Sequence, residues 1–372
     1  MSLYVCVDCG GSKTSAVICD ASGTILGRAL GGPSNFAYLS LAQFTAAITT
    51  TLTAALAACP ASLNLPTALP LLTTDTNPFA AASFGVSGVD SPAAIALLTP
   101  TLSGLLGIPP GPALRIANDT HLLATPLLAH ADITHAVAVI GGTGSIAVSF
   151  RRRADSAIDE LARIGGWGWI LGDEGGGFSV GREALRQMLL DFDAASVTGR
   201  APPESALTRR VLERFGVAHV PQILPLVHLP DGPGGISADG GGDGGDGAGA
   251  GEAPDVFWQA REKRLSSLSP LVFEAAFDHG DAFALRVLKV CAGSLAQQVA
   301  VLLGGGNEDA PRAVRAADSV ISFGGSLVGV EKYRALVLDD LKRRGHVFRY
   351  VEFIDDAAAV GAMGLAAAAR PP

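Results

Sequence analysis

The stretch Asp8–Thr14, with the sequence DCGGSKT, contains residue types that suit the binding of phosphate oxygens. Its glycines allow the backbone to approach a ligand closely, and successive amides and hydroxyls can surround an anion. Lys13 adds a positive charge. The spacing does not match the Walker A pattern, which needs four residues between its first glycine and the Gly-Lys pair. The stretch therefore predicts a phosphate-binding turn of another kind, with an ordinary hairpin turn as the alternative.

Two more glycine turns follow predicted strands. One is Gly141–Ser145, with the sequence GGTGS, and the other lies within Ser322–Leu327, with the sequence SFGGSL. Either turn alone is a weak signal, because such turns are common. Three of them in one chain indicate a set of close backbone contacts to the phosphates and base of a nucleotide.

Asp119 follows the apolar run that begins at Leu114 and directly precedes Thr120. A carboxylate at this point could accept the proton of a hydroxyl group while the hydroxyl oxygen attacks a γ-phosphoryl group. The same position also suits a helix N-cap. The two roles can coexist, so both stay open.

The stretch Ile164–Gly177, with the sequence IGGWGWILGDEGGG, is the most informative in the chain. Its many glycines, two tryptophans and two acids match no ordinary helix or strand, so we expect a loop of special conformation. A sugar site uses the same parts: an aromatic surface for apolar ring faces, carboxylates for hydroxyls, and glycines that expose backbone donors.

The elements that position these stretches follow an α/β pattern, because predicted strands and helices alternate along the chain. The first thirty residues predict an antiparallel meander of three strands. Further strands and helices are expected at 41–58 (helix), 83–86 (strand), 92–106 (helix), 114–117 (strand), 136–150 (strand, turn and strand), 257–303 (helical), 319–323 (strand), from 331 (helix) and near 347–353 (strand), before a final helix.

The strand–turn–strand unit at the N-terminus has a counterpart later in the chain. The turns at Gly10 and Gly142 lie 132 residues apart. A repeat of this size predicts two duplicated domains that face one another, and the cleft between them becomes the expected binding site.

Composition narrows the class of protein. Hydrophobic residues make up 48% and charged residues 17% of the 372 residues, which is ample material for packed cores. The net charge of -8 argues against a nucleic-acid partner, whose phosphates require clustered Lys and Arg. No apolar run reaches the length of a membrane span, and the five cysteines, an odd number, favour a reducing compartment, so we expect a cytoplasmic protein.

Taken together, these motifs resemble those of the N-acetylglucosamine kinases in the BadF/BadG-like branch of the actin, hexokinase and Hsp70 superfamily. The resemblance covers nearly the whole chain. It rests on Asp8–Thr14, Asn118-Asp119, Gly142–Ser145, Phe323–Ser326 and, as the most specific element, Gly166–Gly175. It implies an α/β fold of two actin-like (ribonuclease H-like) domains and the ATP-dependent phosphorylation of N-acetylglucosamine at O6.

The resemblance also implies roles for individual residues. Asp119 would be the base, Asp8 would help to hold Mg²⁺, and the acceptor would be an amino sugar. The residues expected to bind the sugar, besides Asp119, are Asn35, Ser87, Thr143, Ser145, Gly166, Trp167, Gly168 and Asp173. The residues expected to bind ATP are Gly10, Gly11, Ser12, Lys13, Thr14, Gly142, Gly324, Gly325 and Ser326.

Two rival functions stay open at this stage. One is an ATPase of the BadF kind that activates a dehydratase through a bridging iron-sulfur cluster, which would need thiolates from the protein. Cys6 and Cys9 form a Cys-x-x-Cys spacing but no second pair follows. The other is a non-catalytic sugar sensor of the same fold.

The resemblance and composition also set the expected domain limits. An N-terminal domain is expected at 1–129 with 356–372 and a C-terminal domain at 130–355. A glycine-rich insertion at about 231–253 has little to bury, which predicts a flexible surface loop. By family resemblance, we expect a homodimer.

Overall fold

Two compact units make up the chain in the computed structural model, which describes residues 2–66, 68–71, 77–153, 158–231, 255–304 and 310–369. Unit 1 comprises Met1–Ala138, Phe150–Asp159 and Glu352–Pro372, and unit 2 comprises Val139–Ser149 and Glu160–Val351. The domain limits expected from the sequence stay a prediction, because a packing unit is not by itself an independently folding domain. The predicted insertion at 231–253 lies outside the described residues, except for residue 231.

Strands and helices alternate along most of the chain. The strands are β1 (Leu3–Cys9), β2 (Thr14–Asp20), β3 (Ile25–Gly31), β4 (Phe79–Val86), β5 (Leu114–Ala117), β6 (His135–Gly141), β7 (Ser145–Arg152), β8 (Ile158–Gly165), β9 (Ser319–Gly324) and β10 (Tyr350–Phe353). The helices are α1 (Leu41–Ala57), α2 (Pro92–Leu106), α3 (Thr120–Leu123), α4 (Gly168–Leu171), α5 (Gly177–Thr198), α6 (Ala206–Phe215), α7 (Ile223–Val227), α8 (Arg261–Ser266), α9 (Ser269–Phe277), α10 (Ala282–Val301), α11 (Ser326–Gly329), α12 (Glu331–Arg343) and α13 (Ala357–Ala368). Among the described helices, none combines the length and apolar character that crossing a membrane requires.

The first sheet has the strand order β3-β2-β1-β4-β5. β1 pairs antiparallel with β2, from Leu3 opposite Asp20 to Cys9 opposite Thr14, and β2 pairs antiparallel with β3. The predicted meander is therefore confirmed. β4 is parallel to β1, and β5 is parallel to β4. The carboxyl ends of β1, β4 and β5 consequently lie at the same edge of the sheet, which is where parallel sheets usually bind ligands.

Both faces of β1 are buried, because its alternate side chains pack into two different hydrophobic clusters. Val5 and Val7 pack in the cluster that contains α1 and α2 side chains, whereas Tyr4 and Cys6 pack against α13. Gly361 lets α13 approach the sheet closely, since a Cβ at this position would lie only 2.4 Å from Cys6 Sγ. This two-sided burial fixes the strand on which the first glycine turn depends.

Hydroxyl residues mark the starts of the two long helices in unit 1. Ser40 and Gln43 form a reciprocal capping box at the start of α1. At α2, the Ser91 side chain accepts a hydrogen bond from the amide of Ala94, and Pro92 occupies the first turn. Both helices therefore begin where the sequence predicts.

The second sheet has the order β10-β9-β6-β7-β8. Taken from β8, the strands β8, β7, β6, β9 and β10 match β3, β2, β1, β4 and β5 position by position. In both sheets, a backbone hydrogen bond closes the turn after the middle strand, from Gly10 N to Lys13 O at 3.0 Å and from Gly142 N to Gly144 O at 3.0 Å. The predicted duplication is confirmed by this correspondence.

The stretch Ile164–Gly177 contains more regular structure than its composition suggests. It begins at the end of β8, includes the short helix α4 and ends at the start of α5. The expected loop of special conformation is therefore present between β8 and α5, but it also contains one short helical turn. β8 is only half-buried along most of its length, which leaves a weak alternation of apolar and polar residues. α5 begins with glycine because its first amide donates to a carbonyl outside the helix, from Gly177 N to Gly142 O at 2.9 Å.

Helices form a layer next to the second sheet, and the backbones of two of them, α5 and α8, are in close contact. A Cβ at Gly181 of α5 would lie 1.9 Å from the Leu265 carbonyl oxygen of α8. No larger residue fits this position without a shift of one helix. α10 packs against α5, α9 and α12, which places a long apolar helix at the centre of the layer.

Arg264 of α8 is the largest fully buried side chain of the described residues. Its guanidinium group donates only to backbone carbonyls, at distances of 2.8 to 3.3 Å. The acceptors are Leu226, Val227, Leu229, Pro230, Val256 and Gln259. A single side chain thus satisfies two separate stretches of irregular backbone, one before and one after residues 232–254.

Replacement of this side chain should be costly. Arg264→Met keeps the side-chain length but leaves the carbonyls without their donor, so we expect the free energy of unfolding to fall by about 3 kcal/mol or more. Arg261→Met is the matched control, because Arg261 is exposed and its guanidinium lies 3.5 Å from Asp231 in a surface ion pair. Urea unfolding of both variants measures the difference, and equal losses would contradict a special role for Arg264.

Candidate functional site

The β1–β2 turn is tied to the segment that follows β3. Thr14 is buried, and its hydroxyl group donates to the Gly32 carbonyl at 2.6 Å. The Thr14 hydroxyl oxygen also lies 2.6 Å from the Ser34 hydroxyl oxygen. Ser34 N in turn donates to the Gly10 carbonyl at 3.0 Å. The Thr14 hydroxyl group therefore holds the turn in place, and its contact with a nucleotide stays a prediction. The exposed part of the turn comprises Gly11, Ser12 and Lys13.

The ends of β1, β3 and β4 meet near Asn35 and Ser87. Ser87 N donates to the Cys9 carbonyl, and Phe36 N donates to the Ser87 carbonyl, both at 2.9 Å. Gly88 has a φ of +82°, and a Cβ there would lie 2.6 Å from Asn35 Oδ1. These hydrogen bonds bring the predicted sugar-binding residues Asn35 and Ser87 together at the edge where the parallel strands end.

Asp119 lies at the end of β5, in the N-cap position of α3, but its side chain makes no capping hydrogen bond. The neighbouring Asn118 supplies the oxygen instead, accepting from Thr120 N at 3.1 Å and from Thr120 Oγ1 at 2.7 Å. The Asn118 amide nitrogen donates to Asp90 Oδ1 at 2.9 Å. The helix-cap alternative for Asp119 is therefore weakened, because Asn118 performs that task.

The environment of Asp119 favours its protonated form. Burial raises the pKa of Asp119 to about 7, and the negative charges of Asp8 and Asp90 add to the effect, while the Thr120 amide opposes it. Burial is the larger cause. A carboxyl group with this pKa can exchange a proton at neutral pH.

Asp8 is a second carboxyl group with a shifted pKa. Burial raises its pKa to about 6, the charge of Lys13 lowers it, and the charge of Asp356 raises it. In the described part of the chain, no three His, Cys, Asp or Glu side chains are grouped to form a metal cage. A lone carboxylate with excess negative charge nearby nevertheless suits Mg²⁺, which keeps most of its water and takes few ligands from protein.

The β6–β7 turn of unit 2 is held by Ser145. Its amide donates to Asp173 Oδ1 at 3.1 Å, and its hydroxyl donates to the Glu174 carbonyl at 2.8 Å. A Cβ added at Gly144 would lie 2.8 Å from the carboxylate of Asp173. Thr143, Ser145 and Asp173 therefore belong to one cluster, as the sequence predicts, with Ser145 itself buried.

The loop between β8 and α5 has an unusual backbone. Asp173 has a φ of +61°, in the left-handed region that side chains other than glycine rarely adopt. Trp167 is 57% exposed, and a Cβ at Gly172 would lie 3.3 Å from its ring. An aromatic surface thus lies beside the residue that precedes Asp173. Positive φ values also occur at Gly165, Gly166, Gly168 and Gly175, which explains the glycine content of the stretch.

The turn after β9 lies against the turn after β6. Gly325 has a φ of +102°, and a Cβ there would lie 2.7 Å from the Gly141 carbonyl oxygen. A Cβ at Gly142 would lie 3.8 Å from both the amide nitrogen and the hydroxyl oxygen of Ser326. The predicted ATP-binding residues Gly142, Gly324, Gly325 and Ser326 are therefore neighbours.

The predicted site residues fall into one cluster in each unit. Unit 1 contains Asp8, Gly10, Gly11, Ser12, Lys13, Thr14, Asn35, Ser87 and Asp119. Unit 2 contains Gly142, Thr143, Ser145, Gly166, Trp167, Gly168, Asp173, Gly324, Gly325 and Ser326.

Sequence reasoning missed several supporting residues. Asp90 anchors Asn118, and its only sequence signal is its position two residues after the Gly85–Gly88 turn. Arg182 contacts both carboxylate oxygens of Glu174 at 3.1 Å, although it lies eight residues away on α5. Neither partner could be identified from spacing, because the contacts depend on how loops pack.

Cys6 and Cys9 do not form a reactive pair. Cys6 packs against α13, whereas Cys9 packs in the cluster of α1 and α2, on the opposite face of β1. Burial raises the pKa of both thiols well above the ordinary value. A redox or metal-binding Cys-x-x-Cys site is incompatible with this arrangement.

Known proteins that are similar to this chain point in one direction. A model of the BadF/BadG/BcrA/BcrD ATPase family matches residues 114–369. An N-acetyl-D-glucosamine kinase of Dictyostelium discoideum is 27% identical over 231 residues, which are 61% of this chain and 65% of the relative. The match thus spans slightly less than two thirds of that relative's length.

Two solved structures share the fold over nearly the full length. One, from Porphyromonas gingivalis and provisionally assigned as an N-acetylglucosamine kinase, is 17% identical with a TM-score of 0.61, and 99% of each chain is covered. The other, from Chromobacterium violaceum with the same provisional assignment, is 22% identical with a TM-score of 0.59, covering 98% of this chain and 99% of that one. The predicted actin-like α/β fold, with two mixed sheets and flanking helices, is confirmed.

The raised pKa of Asp119 predicts a pH-dependent cost in stability. Since the folded-state pKa of about 7 exceeds the ordinary value of 3.8, this group contributes stability below about pH 4 that is lost as the pH rises through 7. In Asp119→Asn this side chain cannot ionise. The free energy of unfolding of the variant minus that of the wild type should therefore be larger at pH 8 than at pH 4.5. Denaturant unfolding at both pH values measures the gain.

The control for this experiment is Asp193→Asn, because Asp193 is exposed on α5. Its difference from the wild type should be the same at both pH values. A pH-independent difference for Asp119→Asn as well would show that Asp119 is not held in its protonated form.

Proposed function

The chain belongs to the BadF/BadG/BcrA/BcrD ATPase family, and from this membership we propose that it transfers the γ-phosphoryl group of ATP to the 6-hydroxyl of N-acetylglucosamine. The products are N-acetylglucosamine 6-phosphate and ADP. The observation behind the proposal is the Asp119 carboxyl group, which makes no capping hydrogen bond and has its pKa raised to about 7. ATP as the nucleotide is supported by the family match.

Asp119 acts as the base in this proposal. It accepts the proton of the 6-hydroxyl as O6 forms its bond to the γ-phosphorus and the bond to the bridging oxygen of ADP breaks. A base whose pKa lies near the working pH is ionised in a substantial fraction of the molecules and is still basic enough to take the proton. The Asn118 side chain, which is anchored by Asp90, accepts from the Thr120 amide and so fixes the backbone that follows Asp119. The carboxylate therefore needs little reorganisation.

The glycine turns bind the nucleotide. Amides of the β1–β2 turn and the Lys13 charge face the phosphates, through Gly10, Gly11, Ser12 and Thr14, while Gly142, Gly324, Gly325 and Ser326 contact the rest of ATP. Asp8 would help to hold Mg²⁺. Bound there, Mg²⁺ supplies positive charge that balances the phosphate oxygens.

The acceptor sugar is bound by groups of complementary chemistry. Trp167 offers an exposed aromatic face, and the Asp173 carboxylate accepts hydrogen bonds from sugar hydroxyls. Asn35, Ser87, Thr143, Ser145, Gly166 and Gly168 complete the set. The pKa of Asp173 is raised by burial, lowered by the Ser145 amide and raised by Glu174.

We also propose that the enzyme is a cytoplasmic homodimer. The dimer rests on the family resemblance. The compartment rests on five cysteines that are all free thiols, as expected where disulfides are reduced. A dehydratase-activating ATPase is less well supported, because Cys6 and Cys9 lie on opposite faces of a buried strand.

The proposed reaction is tested by ADP release with Mg-ATP and a panel of N-acetylglucosamine, N-acetylmannosamine, N-acetylmuramate, glucosamine and glucose. We expect the highest kcat/KM with N-acetylglucosamine, because a polar site discriminates by the hydrogen bonds it satisfies. Sugar-dependent ADP production excludes the sensor. Folded protein that releases no ADP with any sugar would refute the proposed function.

Asp119→Asn tests the base. We expect kcat to fall by about 10² or more with little change in folding, since the amide cannot accept the proton. In the wild type, kcat should rise with pH through about 7, as the Asp119 carboxyl group loses its proton. The residual activity of the variant should lack this rise. Turnover near that of the wild type would exclude Asp119 as the base.

A further inference from the structure

Asp173 occupies a backbone conformation that its own side chain does not favour. Its φ of +61° is the only left-handed value at a residue other than glycine in the described part of unit 2. Such a conformation persists only where the surrounding structure determines it. The groups that impose it are therefore part of the site, even where they cannot touch a ligand.

The Asp173 carboxylate and the peptide group that follows Glu174 are both held by Ser145. The Ser145 hydroxyl donates to the Glu174 carbonyl at 2.8 Å, and the Ser145 amide donates to Asp173 Oδ1 at 3.1 Å. Ser145 is only 3% exposed, so both polar groups are committed to the loop. Gly176 N adds a hydrogen bond to the Asp173 carbonyl at 2.9 Å.

The side chain of Glu174 anchors the same peptide from the other direction. Its two oxygens accept from Arg182 Nη2 at 3.1 Å, and Oε2 also accepts from Ser179 Oγ at 3.3 Å. Both donors belong to α5, a 22-residue helix. The Arg182 guanidinium lies 5.8 Å from the centre of the Phe178 ring, which restricts its position further. The loop is thus fastened to a rigid helix rather than to another loop.

We propose that Glu174 and Arg182 form a positioning pair that, together with Ser145, holds the Asp173 carboxylate in the orientation required to bind the acceptor sugar. The pair acts through Asp173 and does not contact the sugar or the nucleotide. This inference rests on the proposed function, because it takes Asp173 as a sugar ligand. It also gives Ser145 a role in positioning.

The pair predicts a specific kinetic change. Without the Arg182 guanidinium, Glu174 loses its charged partner and keeps the weaker hydrogen bond from the Ser179 hydroxyl. The backbone next to Asp173 is then less tightly held, so the carboxylate samples other orientations. Arg182→Ala should raise the KM for the sugar about tenfold, while the KM for ATP and kcat change by less than about threefold. Loss of general stability would instead reduce the active fraction and leave both KM values unchanged.

Arg186→Ala is the matched control. Arg186 lies on the same helix, is more exposed, and pairs with Glu183 at 3.2 Å, away from the loop. Its removal should change neither KM. If Arg182→Ala changes the KM for the sugar no more than Arg186→Ala does, the positioning role is refuted.

A double-mutant cycle tests whether the two residues act together. Glu174→Ala alone, Arg182→Ala alone and the double variant should raise the KM for the sugar by similar factors, because each removes the same interaction. Factors that multiply would show independent roles and overturn the pair. Glu174→Gln, which keeps an oxygen acceptor without the charge, should give an intermediate KM and provides the test if Glu174→Ala does not fold.

A second measurement separates this inference from the proposed function. Hydrogen exchange of the Ser145 amide, followed by NMR without substrates, reports whether its bond to Asp173 is formed. Arg182→Ala should accelerate this exchange about tenfold, and Arg186→Ala should not. Faster exchange in Arg182→Ala, combined with a wild-type protein that phosphorylates no sugar, would refute the kinase and retain the positioning pair. Unchanged exchange in an active enzyme would refute the pair alone.

Discussion

The chemistry of unit 1 depends on two carboxyl groups, those of Asp8 and Asp119, that are partly buried at the same edge of the sheet. Asp8 and Asp119 end up at one edge because β1, β4 and β5 are parallel, and the apolar clusters on both faces of β1 keep water away from that edge. Burial raises the pKa of Asp8 to about 6 and that of Asp119 to about 7, and the negative charge of Asp356 adds to the first shift and that of Asp8 to the second. The packing of the core therefore also sets the pKa values of the carboxyl groups at the edge of the sheet, so a change in this packing would change those pKa values.

Unit 2 reaches a comparable degree of organisation by different means. Its sheet has the same strand order, yet its central turn contains no charged residue, and its precision comes from close backbone contacts and hydrogen bonds. Gly144 leaves room for the Asp173 carboxylate, and Gly325 leaves room for the Gly141 carbonyl. The duplicated strand–turn–strand element thus supports different chemistry in the two units. In unit 1 it carries the partly buried carboxyl group of Asp8, and in unit 2 it provides a close steric fit.

Much of this arrangement could be predicted from sequence, and the exceptions have physical causes. The meander, α1, α2 and the repeat were accessible because alternation, capping residues and glycine turns are local signals. Asp8 and Asp173 stood out because they lie in glycine-rich stretches, and Asp119 because it directly follows an apolar run. β8 was missed because a half-buried strand has weak alternation, and α5 because its start is stabilised by the carbonyl of Gly142, distant in sequence. Asp90 acts through a contact with Asn118, and Arg182 of α5 through a contact with the loop that precedes this helix, and no spacing rule encodes either contact.

The carbonyl contacts of Arg264 also have a practical meaning for protein engineering. The carbonyls of Pro230 and Val256 both accept from its guanidinium group, so these two points of the chain, 26 residues apart, lie close together. Neighbouring ends of this kind are the geometry that circular permutation and domain insertion require. Between residues 231 and 255, a fluorescent reporter could therefore be spliced into the chain, or new termini opened, without separating any of the elements that form the two sheets.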